Sequence, residues 1–262
     1  MGVLDDLFGI AGKAAVVTGG SRGIGMMIAR GYVQAGARVY ISSRKADACD
    51  AAAKELSEFG TCVSIPADVS TMAGIEQLVA AVAEREDALH ILVNNAGAAW
   101  GAPLDDFPES GFDKVWTLNV KGLFYCTTKF LPLLRKAAKP DDPARVINIG
   151  SIDGIRVPWF PNYPYSAAKA GVHMITRHVA HEVAKENITV NAIAPGLFRS
   201  QMTRFTYQDE NAVEAIKDAI PLGRDGQPED MAGIAIYLAS RAGAYLTGAV
   251  IPVDGGVASI RT

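Results

Sequence analysis

The chain has 262 residues, 49% hydrophobic and 20% charged, with a formal charge of −3. It is too apolar for a disordered polymer, and single α/β units reach about 250 residues, so one domain with a large core is expected. The small negative charge gives no field for nucleic acid or an anionic membrane, and neither partner is expected.

Three cysteines, Cys49, Cys62 and Cys126, lie far apart without a CxxC pair. They read as reduced thiols of a cytoplasmic protein rather than a disulfide framework or a zinc site. No apolar run approaches the roughly 18 residues that span a bilayer. Asp5 and Asp6 stand where a secretory signal would carry bases, so no such signal is expected. Gly2 fails the myristoylation pattern because position six is Asp6.

Apolar runs at 14–18, 38–42, 62–67, 90–94, 145–149, 189–194 and 249–253 alternate with helical patterns at 24–35, 45–59, 72–86, 111–138, 166–186 and 228–240. Most runs are continuous, as strands covered on both faces require. Repeated strand–helix–strand units predict right-handed crossovers. The expected fold is therefore α/β: a single three-layer, Rossmann-type domain around a seven-stranded parallel sheet. Segment 203–226 breaks the rhythm with a short helix over 210–220 and then Pro221, Gly223 and Gly226. An insertion after the sixth strand lies at the carboxyl edge, where ligands bind, so 203–226 is expected to be a substrate lid.

The first strand runs into Gly19-Gly20-Ser21-Arg22-Gly23-Ile24-Gly25 and then a helix. Strand, glycine cluster and helix in that order form a phosphate cradle: glycines let the backbone approach a pyrophosphate, and the helix start offers free N–H groups. Gly19, Ser21, Arg22, Gly23, Ile24 and Gly25 are thus cofactor candidates. The spacing Thr-Gly-x-x-x-Gly-x-Gly departs from the ordinary dinucleotide fingerprint and resembles that of the short-chain dehydrogenase/reductase family.

The second strand ends Ser42-Ser43-Arg44-Lys45, without the acid that would accept hydrogen bonds from an NAD ribose. Ser43 and Arg44 stand where a 2′-phosphate would lie, and Arg22 can reach the same side. A guanidinium grips a phosphate that a carboxylate would repel, so NADP(H) is the expected cofactor. The plainer reading leaves Arg44 and Lys45 as solvated charges at a helix start, where a base gains nothing from the dipole.

After the third strand, Asp68-Val69 matches a family pair that caps the adenine amino group and packs on its ring; Asp68 also suits a simple turn. After the fourth, Asn94-Asn95-Ala96-Gly97 resembles the family's Asn-Asn-Ala-Gly motif. The resemblance implies Asn94 beside the adenosine ribose, with Ala96 and Gly97 against the cofactor and Asn95 structural. Asn119, inside the 111–138 helix, matches a family Asn that kinks its helix and holds a water linking the lysine to solvent.

The fifth strand ends in Ser151, and Tyr165-Ser166-Ala167-Ala168-Lys169 opens the next long helix. Tyr and Lys four apart share a helix face. A neighbouring ammonium is expected to lower the tyrosine pKa, fitting it to exchange a proton with a carbonyl oxygen or an alcohol, while Ser151 fixes that oxygen. Ser151 and Tyr165 are fourteen positions apart, one more than the family pattern. Tyr163 is a decoy, since four positions on stands Ala167. Asn119, Ser151, Tyr165 and Lys169 are the catalytic candidates, with Lys169 also implied at the nicotinamide ribose.

Pro195-Gly196-Leu197-Phe198-Arg199-Ser200 resembles the family segment that wraps the nicotinamide. It implies contacts from Pro195, Gly196, the Phe198 backbone and Ser200. Trp100, Trp159 and Phe160 are candidates for an apolar substrate mouth or for loop packing. His90, His173, His178 and His181 read as surface or packing residues, and no metal is expected.

The likeness runs from about Gly12 to Gly256. It is closest to bacterial β-ketoacyl reductases, including the type tied to rhamnolipid synthesis. It implies reduction of a ketone, such as a 3-ketoacyl thioester, to a secondary alcohol. A sugar or polyol dehydrogenase of the gluconate type and a non-catalytic dinucleotide sensor are the alternatives. Family members are commonly homotetramers, paired through the 111–138 and 166–186 helices and the last strand.

Overall fold

Runs that are apolar on both faces become strands because helices can cover both sides of a sheet. The computed structural model describes residues 2–207 and 210–260. Met1 and positions 208 and 209 of the expected lid lie outside the described residues. The elements in chain order are α1 (Val3–Phe8), β1 (Ala14–Thr18), α2 (Gly23–Gln34), β2 (Arg38–Ser42), α3 (Ala46–Leu56) and β3 (Cys62–Ser64). Next come α4 (Met72–Ala83), β4 (Ile91–Asn94), α5 (Glu109–Trp116), a π-turn (Thr117–Gly122), α6 (Leu123–Ala137) and β5 (Ala144–Ile149). The chain closes with α7 (Tyr163–Val183), β6 (Ile188–Pro195), α8 (Glu210–Ala219), α9 (Pro228–Ala239), β7 (Val250–Val253) and α10 (Val257–Ile260).

The seven strands form one sheet in the order β3-β2-β1-β4-β5-β6-β7. Every pairing is parallel. The chain winds outward from β1 to β3, returns to β4 beside β1, and winds the other way. The carboxyl ends of β1 and β4 therefore diverge and open the crevice where such folds bind ligands. Alternate strand residues feed two cores. Ala15 and Val17 pack with Ile28, Tyr32, Leu56, Met231 and Leu238. Ala14 and Val16 pack with Leu78, Phe130, Leu134 and Val183 on the other face. No helix among the described residues is long and apolar enough to cross a membrane.

The boundaries differ from the sequence expectation at three places that matter. β3 ends at Ser64, not at 67, although Ile65 N and Ala67 N still donate to Ile41 O and Ser43 O, and Pro66 turns its missing N–H to the open edge. The single helix expected over 111–138 is broken by the π-turn, for a reason found in the site below. The catalytic helix starts at Tyr163 rather than 166, since Pro164 fits a first helical turn, where its missing N–H costs nothing.

On the outer face of the first core, α2 and α9 touch closely through small residues. A Cβ on Gly31 would lie 2.6 Å from the Cβ of Ala232. Gly31→Val should therefore destabilise the fold by about 1–3 kcal/mol, read as a lower urea midpoint, and Ala232→Gly in the same chain should return part of the loss.

Candidate active site

The carboxyl edge of β1 is built around one side chain. Thr18 Oγ1 accepts from the backbone N–H groups of Asn95 (3.0 Å) and Ala96 (3.1 Å) and donates to Val93 O at 3.3 Å. Asn95 Nδ2 returns the tie, donating to Thr18 O at 2.9 Å and Gly19 O at 3.1 Å. This knot fixes the glycine loop to β4 and makes Asn95 structural, as expected. Gly19 and Gly23 hold left-handed backbone, φ +66° and +54°. A Cβ on Gly25 would sit 2.3 Å from Gly19 O, so the loop closes on itself only with glycine there. Arg22 precedes α2 and no side chain caps that helix. The first-turn N–H groups of Gly23, Ile24 and Gly25 are left to an anion, with Ser21 beside them in the loop.

Around this cradle the expected cofactor residues divide. Ser43 is half-buried at the end of β2, and Arg44 is exposed and enters no ion pair among the described residues. Arg22 donates to Gln201 Oε1 at 3.2 Å, and a Cβ on Gly23 would meet the Ser200 side chain at 3.3 Å. The glycine loop thus faces the segment after β6. Asp68 Oδ1 accepts from Ser70 N and Oγ (3.0 and 2.7 Å), so the carboxylate holds a turn. Val69 is buried in the second core and lends its carbonyl, not an open face, to the neighbourhood of Gly122.

Asn94, expected beside the adenosine ribose, turns its side chain into the sheet. Its Nδ2 donates to Thr127 Oγ1 and Asn148 Oδ1, both at 2.9 Å, inside the sheet. Only its main chain stands at the crevice, ahead of Ala96 and Gly97. Asn119 is likewise committed: its Nδ2 donates to Ala98 O (3.0 Å) and its Oδ1 accepts from Ala98 N (2.8 Å). It sits in the π-turn, and this two-bond grip on the loop after β4 accounts for the break in the helix.

Ser151 lies two residues past the end of β5 and Tyr165 lies in the first turn of α7. Their hydroxyls lie within range to interact, and Ser151 Oγ accepts from Asp153 N at 3.1 Å. Lys169 is buried (4% exposed) and its Nζ donates to Ile149 O at 2.6 Å. The same ammonium lies 5.5 Å from the centroid of the Tyr165 ring. The three residues therefore converge, but the expected effect of Lys169 on Tyr165 is not what the free chain has. Burial pushes the phenol up to about 12, the Ser151 hydroxyl opposing it and the Asp153 carboxylate adding to it. Lys169 is itself pushed down to about 8 by burial. The phenol is held as a loaded proton donor.

Pro195 ends β6, and Gly196 lies so close to β7 that a Cβ would be 2.6 Å from that of Asp254. Phe198 is buried with its ring against Gly226, and its carbonyl accepts from Thr203 Oγ1 at 2.7 Å. Asp225, 7% exposed, accepts from Arg199 Nε (3.3 Å) and the Tyr207 hydroxyl (3.1 Å) and so ties the two ends of the 203–226 segment together. Trp159 and Phe160 are exposed at 50% and 40% beside the Ser151 turn, with the Arg156 guanidinium 4.0 Å over the Trp159 ring. Trp100 instead packs on Gly111 and against the Val115, Val120 and Ala168 cluster.

Sequence reasoning missed Thr18, Asp225 and His173. Thr18 and Asp225 act through distant partners that no local pattern reveals. His173 is buried, the packing alternative of its expected surface or packing role, and its place four residues after Lys169 was a readable signal of more. Among the described residues no three His, Cys, Asp or Glu side chains converge where a metal could bind.

Known proteins share this arrangement. The family model described as Enoyl-(Acyl carrier protein) reductase matches residues 19–258. The chain is 53% identical over 249 residues to the rhamnolipids biosynthesis 3-oxoacyl-(acyl-carrier-protein) reductase of Pseudomonas aeruginosa, covering 95% of this chain and 97% of the relative. A solved Pseudomonas aeruginosa RhlG/NADP active-site complex superposes with a TM-score of 0.94 at 52% identity, over 97% of this chain and 99% of that one. A gluconate 5-dehydrogenase from Burkholderia cenocepacia in complex with NADP and tartrate superposes with a TM-score of 0.90 at 30% identity, over 97% and 98%.

The buried ammonium makes a stability prediction. Lys169 falls from its ordinary 10.5 to about 8 on folding, so between those values the unfolded chain holds a proton that the folded chain has lost. Stability should rise with pH through that window. Lys169→Met should melt at or above the parent temperature at pH 7, and its advantage should narrow between pH 8 and 10.5. A lower melting temperature without that narrowing would mean that the bond to Ile149 outweighs the burial cost.

Proposed function

The chain belongs to the short-chain dehydrogenase/reductase family, and on that premise we propose that it is an NADP(H)-dependent reductase converting a ketone, with a 3-oxoacyl thioester as the favoured class, to a secondary alcohol. The observation that carries the reaction type is the Ser151–Tyr165 hydroxyl pair with the Lys169 ammonium under the tyrosine ring. The substrate class rests on the 53% identity to a 3-oxoacyl reductase.

The residues present fit NADP(H). The uncapped start of α2 and the closed glycine loop suit a pyrophosphate, and free Arg44 with Ser43 and Arg22 suits a 2′-phosphate. Pro195, Gly196, the Phe198 backbone and Ser200 line the side of the crevice where the family segment holds the nicotinamide. When bound, NADPH supplies the hydride.

Ser151 donates to the carbonyl oxygen and sets its position. Tyr165 gives the same oxygen its hydroxyl proton as the carbon receives the hydride, so C=O becomes CH–OH and a phenolate remains. A phenol near 12 is fully protonated at neutral pH, the form that reduction needs, and is still a stronger acid than the alcohol it produces. Lys169 spends one N–H on Ile149 and keeps the others for the cofactor ribose and for the phenolate, which its charge stabilises. Asn119 fixes the π-turn beside Lys169, and we assign it to the route by which the phenolate is reprotonated from solvent.

The apolar rim of Val157, Trp159 and Phe160 suits an acyl chain better than a polyol. Segment 203–226, tied at Asp225, is assigned as the lid. The gluconate-type alternative rests on matches at 30–36% identity and is the weaker reading. A sensor would need no proton donor, which argues against that reading. Exposed Phe112 and Trp116, stacked on α5, with Phe124 and Tyr125 on α6, support the homotetramer that the family implies. Free, buried Cys49, Cys62 and Cys126 suit a cytoplasmic protein.

Purified protein should oxidise NADPH faster than NADH with 3-oxoacyl thioesters, followed at 340 nm. Tyr165→Phe should lower turnover by roughly 10²–10⁴-fold. Arg44→Asp should raise the KM for NADPH by about 10- to 100-fold and leave that for NADH nearly unchanged. Polyol oxidation with no ketone turnover would replace the ketone reading with the gluconate type. Sedimentation at micromolar protein should give a tetramer; monomer alone would remove the assembly.

A further inference from the structure

α7 turns three polar side chains toward the end of β5: Lys169, His173 and Thr176, spaced as one helix face. Lys169 reaches the carbonyl of Ile149 and Thr176 accepts from Asn148 Nδ2 at 2.9 Å. His173 between them is 5% exposed and serves no step of the chemistry above. Its ring packs against the Gly154 main chain, within range to interact with it. The Gly154 N–H is already spent on Ser151 O, so the group left for the ring is the Gly154 carbonyl, as acceptor. The other nitrogen, Nε2, is buried and without a partner among the described residues.

That nitrogen presses on Gly150. A Cβ there would lie 2.3 Å from His173 Nε2 and 2.8 Å from Cδ2. At the far end of the same turn, a Cβ on Gly154 would lie 2.6 Å from the Lys169 carbonyl carbon and 2.9 Å from His173 Cε1. Residues 150–154 carry Ser151, and the imidazole fills the space beneath them from one glycine to the other.

We propose that His173 is a positioning residue that clasps the Ser151 turn to α7 and thereby holds the Ser151 and Tyr165 hydroxyls in register. It rests on the reading of Ser151 and Tyr165 as the reacting pair. The groups facing the ring are Lys169 and Arg177 from α7 and the backbone of 150–154. Burial and those two cations keep the imidazole neutral, pushed down to about 4. A neutral ring donates at Gly154 and packs at Gly150 across the working range of pH. Loss of the clasp loosens the Ser151–Tyr165 contact, which opposes the upward push of burial on the phenol. The His173 ring itself is assigned no contact with the cofactor, so ground-state cofactor binding is not expected to change.

The test compares His173→Leu, His173→Gln, Gly150→Ala and Gly150→Ala/His173→Ala in the full chain, with Tyr165→Phe as control. His173→Leu should lower kcat by about 10- to 100-fold with the NADPH dissociation constant unchanged. The acidic limb of the pH profile for alcohol oxidation should move to higher pH. His173→Gln, which keeps an N–H for Gly154, should recover most of the activity. Gly150→Ala should be poorly active, and the double variant more active than Gly150→Ala alone. A folded His173→Leu with parental kcat and pH profile overturns the proposal. Should His173→Leu fail to fold, a double variant no better than Gly150→Ala overturns it. Full activity in Tyr165→Phe would instead overturn the catalytic reading beneath it.

Discussion

Lys169 carries a charge into the interior and ties it to the carbonyl of Ile149, the last residue of β5. A buried ammonium is costly unless its partner is fixed, so this one bond demands that helix and strand keep their register. Tyr165, one turn earlier, and Ser151, two residues beyond Ile149, inherit that register. The geometry of the reacting pair is thus a consequence of where a lysine must find an oxygen.

A buried polar chain makes the same demand from below. Thr127 on α6, Asn94 on β4, Asn148 on β5 and Thr176 on α7 are linked by bonds of 2.9 Å. Both threonines also donate back to their own helices, at Leu123 O and Val172 O. Each member is desolvated, so a slip of either helix would leave polar atoms unpaired and cost more than the bonds themselves return. The strands are apolar enough to slide against many surfaces; this chain selects one. It also explains why the Asn94 side chain points into the sheet.

The layers of the fold were legible because both-face burial writes itself as continuous apolar runs, and all seven strands fall where those runs lie. The glycine loop and the Ser151/Tyr165/Lys169 group were legible for a similar reason: their spacing is local. What escaped was set by partners far away in sequence. The break at Asn119 needs Ala98, the commitment of Asn94 needs Thr127 and Asn148, and the latch at Asp225 needs Arg199 and Tyr207. His173 stood in a readable position, but only the glycines above it reveal what it packs against.

The electrostatics ran against the local expectation for a general reason. A lysine four residues from a tyrosine lowers the phenol pKa when its charge is free to act on the oxygen. Here the ammonium is drawn to Ile149 and faces the ring, while burial acts on both groups and disfavours the charged form of each. The result inverts the usual order of use. With the phenol near 12 and the amine near 8, the free chain meets a carbonyl with its donor loaded and its lysine charged at neutral pH. Oxidation would need the phenolate and the ammonium together, and raising the pH removes the second before it creates the first. Burial of the pair therefore leaves the free chain with its proton donor loaded before any substrate is bound.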